Sequence, residues 1–464
     1  MGKLKRFLST SAVYFIGSVL SKLVVFFLLP LYTSKISPDQ YGIYDLVIAF
    51  INLFAPIIFI QIWDGMFRAS FDCTEISDKY KIISNSLVVC FVGAVVYFLG
   101  FTIIQAVFDL ENFIYILIYG FVFSIHYLYG YICRVFLNNK LYVVSGLINT
   151  LITAVINIVL ILVFNWDVKS LYLSPAIGMF VQILIIEFKY KALGNFKLAH
   201  INKNSILKMI KFSIPLCFAA ISYWLLSGFS KLLITNVLGA ADNGIFAIAN
   251  RFASMTVLII TIFQYAWNEL AYIMSNDSGR VKMYNVCIDL LIKFVILGSA
   301  GICILIKIIF PYLIHEQYAV AINIIPATII GSMLNAMAGF VGTLFMTEKK
   351  TNGIMYSTLL AAGINIALGI VMTNLFGIHG ATIALAIAFL VLMIIRLLQA
   401  KKQFSIKYNW KTCISVVCVL ILSIFEYYFV NNIVIDICAV IVIVAILVLL
   451  NKKYFSIFFS SIKK

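Results

Sequence analysis

Charge is scarce in this chain. Of 464 residues only 11% are Asp, Glu, Lys or Arg, and just 18 of them are acids. Soluble globular domains carry roughly 25% charged residues. A hydrophobic content of 63% and a mean hydropathy of +1.08 therefore exclude a water-solvated fold. Catalytic signatures are missing as well: there is no GxSxG, Walker A, HExxH or Gly-rich dinucleotide fingerprint. Neither enzymatic activity nor ATP-driven transport is expected on that ground, and no cofactor or metal is expected. The nine cysteines show no CxxC or Cys/His spacing, and Cys90, Cys217, Cys303 and Cys418 lie in apolar stretches, so they read as buried free thiols. Four scattered histidines, His126, His200, His315 and His379, read as packing or interfacial groups. The basic start leads into an apolar run, Ser11 to Leu31, that is longer than a signal-peptide core of about 7–15 residues and lacks a small-residue cleavage site. A retained first helix is expected there.

Cations outnumber acids, 34 to 18, for a formal net charge of +16. They fall in every second gap between apolar runs, as with Lys3, Lys5 and Arg6, then Lys79 and Lys81, then Arg134 and Lys140. The same gap set holds Lys189 to Lys211, Arg280 and Lys282, Lys349 and Lys350, and Arg396 to Lys411, while the alternate gaps hold only Lys35 and Lys169. Cytoplasmic loops of polytopic membrane proteins retain cations in this way, which places both termini in the cytoplasm. The alternation also accounts for the net charge without a nucleic-acid partner.

A spanning helix needs about 20 apolar residues. Spans are predicted near 12–34, 42–66, 82–107, 113–133, 142–164 and 171–188, then 209–237, 244–268, 284–310, 318–346, 352–376 and 378–398, with a last pair near 412–430 and 433–450. The fold class is an all-α polytopic membrane protein of about fourteen transmembrane helices, two six-helix lobes plus a C-terminal helix pair. The division is 1–188 for the first lobe, 189–208 for a basic cytoplasmic linker, 209–400 for the second lobe and 401–464 for the additional pair and tail. A short internal repeat supports it. Tyr41-Gly42-Ile43-Tyr44 and Asn243-Gly244-Ile245-Phe246 each follow a turn containing Asp39 or Asp242. Each opens a helix that carries Gln61 or Gln264 about five turns on. Pro30, Pro56, Pro215 and Pro326 are expected to kink their spans.

Ionisable groups within the spans are the candidate functional residues, because a cation at bilayer depth needs a cavity or a partner. Lys22 lies near the middle of the first span and Arg251 on the eighth; neither has an acid at i±3 or i±4. Lys231 lies toward the outer end of the seventh. Lys293 has Asp289 four residues before it, and Asp64 has Arg68 four after it; both spacings read as local ion pairs. Lys307, near an outer end, is expected to snorkel, and Asp45 and Glu426 to be hydrated. Asn250 and Gln264 are polar groups that either line a cavity or bind helices together. Deep fixed cations favour an anionic substrate group.

Leu29-Pro30-Leu31-Tyr32-Thr33 through Gln40-Tyr41-Gly42-Ile43-Tyr44, Asp64-Gly65-Met66-Phe67-Arg68, and Lys231-Leu232-Leu233-Ile234 through Asn243 to Phe252 resemble a known family. They are similar to the repeat-unit flippases of O-antigen, lipopolysaccharide and capsule biosynthesis, in the multidrug/oligosaccharidyl-lipid/polysaccharide exporter superfamily. The resemblance implies an undecaprenyl-diphosphate-linked oligosaccharide as substrate, alternating access in a bacterial inner membrane, and polysaccharide polymerase and chain-length proteins as partners. The residue reading independently puts Lys22, Arg251 and Lys231 in a cationic substrate site suited to a diphosphate, with Arg68, Asp64, Lys293, Asn250 and Gln264 secondary. Family members often carry an acid just before the position of Lys231, where this chain has Ser230. A cation-coupled drug exporter, a peptidoglycan-precursor flippase of the same fold and a membrane glycan polymerase remain as alternatives.

Overall fold

A computed structural model describes residues 19–24, 26–73, 75–273, 280–347, 352–406 and 409–452, without the side chains of 259, 261–266, 268–273, 347 and 352. Among the described residues every regular element is helical. After a helical stretch at 19–24 come α1 (Leu29–Lys35), α2 (Pro38–Ile58), α3 (Ile62–Ser70), α4 (Ile76–Phe108), α5 (Phe113–Val135), α6 (Asn139–Leu162) and α7 (Lys169–Tyr190). Next are α8 (Lys203–Ser227), α9 (Phe229–Val237), α10 (Ala240–Ile273), α11 (Arg280–Leu313), α12 (Ile325–Thr347) and α13 (Asn352–Phe404), followed by α14 (Trp410–Phe429) and α15 (Ile433–Leu450). Eleven described helices are long and apolar enough to cross a bilayer. α13 contains two crossings, because Gly377 at φ 59° turns the chain back on itself. With α10 and the helical stretch that begins the described residues, the count agrees with about fourteen spans.

Helix starts follow local chemistry. Asn138, Asn409 and Asn432 accept hydrogen bonds from the backbone N–H groups of Leu141, Thr412 and Val434, filling donors that a helix start leaves open. The expected proline kinks are redistributed. Pro30 and Pro326 lie in the first turns of α1 and α12, where a missing N–H costs nothing. Helix α8 runs on past Pro215 and breaks at Gly228. The span expected at 42–66 is two helices: after Pro56, Ile60 and Gln61 adopt left-handed angles (φ 51° and 44°) and end α2. The first helix of each half is broken in a matching place, at Leu28 and at Gly228.

Contacts divide the chain into two compact units, residues 1–36 with 43–224, and residues 37–42 with 225–464. The first unit is built on Phe59, Ile62, Met66, Leu128, Ile132 and Met209. Helix α8 lies along α2 and α3 in it: Trp224 Nε1 donates to Ala49 O (2.8 Å) and Ser213 Oγ to Gln61 O (3.1 Å). In the second unit, Trp267 donates to Phe340 O (3.0 Å) and stacks on that ring, amid Tyr284, Val295, Leu344 and Leu392. Residues 37–42 join the second unit because the start of α2 meets the start of α10. Asn243 Nδ2 donates to Gly42 O at 2.7 Å. A Cβ on Gly42 would overlap the carbonyl oxygen of Ala240, and one on Gly244 that of Pro38. The glycines of the sequence repeat are thus the residues that let the two helix starts touch.

Candidate functional site

The candidate cations are distributed over both units. Lys22 stands half-buried in the first, on the 19–24 helix, with no ion-pair partner among the described residues. Its neighbour Ser21 accepts a hydrogen bond from Thr150 Oγ1 (3.1 Å), which ties this helix to α6. Arg251, on α10 in the second unit, donates from Nε to the hydroxyl of Tyr41 at 3.3 Å. Tyr41 is itself buried, with its ring edge-on to Tyr318 at 6.3 Å. Lys231 is half-buried on α9. Beside it, buried Ser230 accepts from Asn365 Nδ2 (3.1 Å), and the same amide group reaches Leu226 O (3.0 Å). Where relatives often hold a carboxylate, this chain has an uncharged interhelical hydrogen bond.

The secondary candidates separate into three kinds. Lys293 pairs with Asp289 at 2.6 Å, so its charge is answered on its own helix. The Asp64–Arg68 pair expected from spacing does not form. Arg68 turns to Asp72 (3.1 Å) on the exposed end of α3. Asp64 instead accepts from Tyr131 OH (2.8 Å) and from Gln61 Nε2 (2.9 Å), a donor that the left-handed turn at residue 61 brings within reach. Asn250 donates back to Phe246 O of its own helix (3.0 Å). The side chain of Gln264 lies outside the described residues, as do Lys349 and Lys350.

Sequence spacing missed a buried cluster of three charged groups. Lys307 on α11 does not snorkel, and Glu426 is not hydrated. Lys307 Nζ meets Asp436 Oδ1 at 3.0 Å and Glu426 Oε1 at 3.5 Å, and it donates to the backbone oxygens of Glu426 and Val430. The three side chains are only 11%, 12% and 7% exposed. The separation of Lys307 from the two acids, 119 and 129 residues, hid the cluster; their common position near the outer ends of three apolar helices was the available signal. Asp45, also expected to be hydrated, is buried. Arg396, counted with a basic loop, is buried too. It clamps α12 to both limbs of α13 through Ala338 O (2.7 Å), Thr358 Oγ1 (3.0 Å) and Ser357 Oγ (3.3 Å). In the first unit, Gln182 Oε1 sits 2.8 Å from His126 Nε2 and accepts from Asn149 Nδ2 (3.0 Å), a hydrogen-bonded seam joining α5, α6 and α7. Among the described residues no three His, Cys, Asp or Glu side chains come together as a metal site.

Each unit thus holds a candidate cation within an apolar helix, Lys22 in the first and Arg251, steered by the Tyr41 hydroxyl, in the second. Among solved structures the chain is similar to an inward-facing multidrug resistance MATE family transporter of the MOP superfamily, with a TM-score of 0.70 and 12% identity over 83% of this chain and 94% of that one. It is similar to the lipid II flippase MurJ in an inward closed conformation, at a TM-score of 0.66 and 17% identity, covering 97% of this chain and all of that one. A MOP superfamily transporter from Pyrococcus furiosus, whose binding pocket is described as reversed in polarity, aligns at a TM-score of 0.61 and 12% identity over 86% and 95% of the two chains. At these identities the likeness establishes the fold, that of the MOP superfamily transporters. No curated protein matches the chain in sequence. The model of the polysaccharide biosynthesis protein family matches residues 7–267, more than half of the chain, and the protein therefore belongs to that family as a multi-pass membrane protein on a transporter fold.

Proposed function

We propose that the protein moves undecaprenyl-diphosphate-linked O-antigen or capsule repeat units from the cytoplasmic to the outer leaflet of a bacterial inner membrane by alternating access. The observation that carries this reading is Lys22, a half-buried cation in a membrane span with no carboxylate paired to it among the described residues. A lysine held at bilayer depth costs at least about 2.5–3.5 kcal/mol. A passing anion offsets that cost, and a diphosphate is the densest anion that a polysaccharide precursor offers. In this reading the diphosphate is met by Lys22, Arg251 and Lys231, with Tyr41 aiming the guanidinium. The lobes alternate access to the two leaflets, both termini stay cytoplasmic, and the pair within 401–464 provides a groove for the lipid tail. The product passes to polysaccharide polymerase and chain-length proteins.

Complementation of a strain lacking its own repeat-unit flippase tests this directly. Lys22→Ala is expected to abolish surface polysaccharide at unchanged membrane abundance, and Lys22→Arg to retain part of it, since charge matters before donor geometry. Normal export by Lys22→Ala would overturn the cationic reading. One observation favours a second reading. The likeness to the lipid II flippase extends over 97% of the chain, including the last helix pair, whereas the likeness to the MATE transporter covers 83%. Rescue of a strain depleted of its peptidoglycan-precursor flippase, without rescue of the repeat-unit strain, would make that second reading the correct one.

A further inference from the structure

We propose that the segment 188–211 is a docking surface for anionic phospholipid headgroups. It carries six lysines, at 189, 191, 197, 203, 208 and 211, and no acid. All six are exposed. Large apolar side chains stand exposed between them, with Phe188 at 79%, Leu193 at 61% and Leu198 at 77%. Lysines interleaved with exposed aliphatic and aromatic groups suit the boundary between headgroup phosphates and acyl chains, where each type of side chain meets its own partner. A surface addressing water alone has no use for the apolar members, and one addressing a protein core has none for six like charges.

The surface is built and not a slack connection. Glu187 accepts from the backbone N–H groups of Ala192 (2.9 Å) and Leu193 (3.0 Å) and from Tyr129 OH (3.0 Å), so the nearest carboxylate is already occupied. Tyr190 stacks on Phe136 with ring centroids 4.4 Å apart, and its carbonyl accepts from Tyr80 OH (2.9 Å). Asn85 Oδ1 holds the Asn202 N–H at 2.9 Å, and Met209 is buried in the core of the first unit. These bonds fix the backbone and leave the lysine side chains outward. On the neighbouring loop and helix start, Asp72 and Asp78 are engaged by Arg68 and Lys81, and Glu75 is the remaining acid. The balance on this face is positive, and the inference does not depend on the identity of the transported solute.

The test uses the full-length protein purified in neutral detergent, with thermal unfolding followed after addition of phosphatidylglycerol or phosphatidylcholine. Phosphatidylglycerol is expected to raise the midpoint by several degrees over phosphatidylcholine, and the increment to fade in high salt as screening shortens the reach of the charges. A Lys189→Gln, Lys191→Gln, Lys197→Gln, Lys203→Gln variant should lose at least ten-fold in apparent affinity for phosphatidylglycerol, whereas Arg at the same four positions should keep it. Equal stabilisation by the two lipids, or an undiminished increment in the Gln variant, overturns the proposal. So does an increment matched by inorganic phosphate or by polynucleotide. If the Gln variant cannot be purified, the salt titration and the Arg variant decide between the same outcomes.

Discussion

At the scale of single residues, the buried charges divide into those that are answered and those that are not. Lys307 is answered twice, by Glu426 and Asp436. Removing one member of such a cluster strands the others, at about 3–5 kcal/mol, whereas replacing the whole set with neutral groups of similar size is often harmless. Lys307→Met is therefore expected to lower the thermal midpoint sharply, and Lys307→Met with Glu426→Gln and Asp436→Asn to recover most of it. Additive losses across the three substitutions would deny that they form one unit. Arg251 poses a different question, because its Nε rests on a tyrosine hydroxyl. Tyr41→Phe keeps the ring against Tyr318 but removes the oxygen. Under the proposed function, export in the complementation assay should fall several-fold with little change in melting, while Arg251→Lys should retain part of it, as Lys22→Arg does, and Arg251→Ala none.

At the scale of helices, the close approach of α2 and α10 rests on two positions without a side chain. Neither Gly42 nor Gly244 has a flexible neighbour that could yield; each faces a backbone carbonyl. Gly42→Val and Gly244→Val are each expected to reduce folded protein in the membrane severely, while Gly363→Ala, where nothing lies within 4 Å, should be close to neutral. Fluorescence-detected size exclusion on the three variants measures this. The same contact shows what was legible beforehand. The apolar runs were sufficient for the all-α class and the count of about fourteen spans, because hydrophobic length is a local property, but not for the breaks at Leu28, at Ile60 and Gln61, and at Gly228. The repeat around Gly42 and Gly244 could be seen as a repeat, yet nothing in the string said that its two copies meet. Lys293 with Asp289 followed from i,i+4 spacing. Asp64 with Arg68 did not, because the left-handed turn at Ile60 and Gln61 provides a nearer donor, and backbone reversals of that kind leave no mark on spacing. The Lys307 cluster was invisible because its members are distant in sequence, and Arg396 because a cation near a basic loop reads as solvated until its partners are known.

At the scale of the molecule, the loop cations make a topology claim that can be checked in intact cells. Cysteine placed at Lys203 or Lys402, in a background lacking the nine native thiols, should be protected from an impermeant maleimide, and cysteine at Asp109 or Asp242 should be labelled. Labelling at position 203 would invert the orientation and remove the cytoplasmic site for the docking surface at 188–211. The assignment of residues 37–42 to the second unit also bears on how the protein is made. The partner of Gly42 lies 201 residues further along the chain. At roughly 5–20 residues per second, a ribosome needs about 10–40 s to cover that distance. For all of that interval the start of α2 lacks the partner that fills its contact face, while the rest of the same helix can settle among its neighbours. The start of α2 therefore reaches its final packing only when α10 has been made, long after the rest of its own helix.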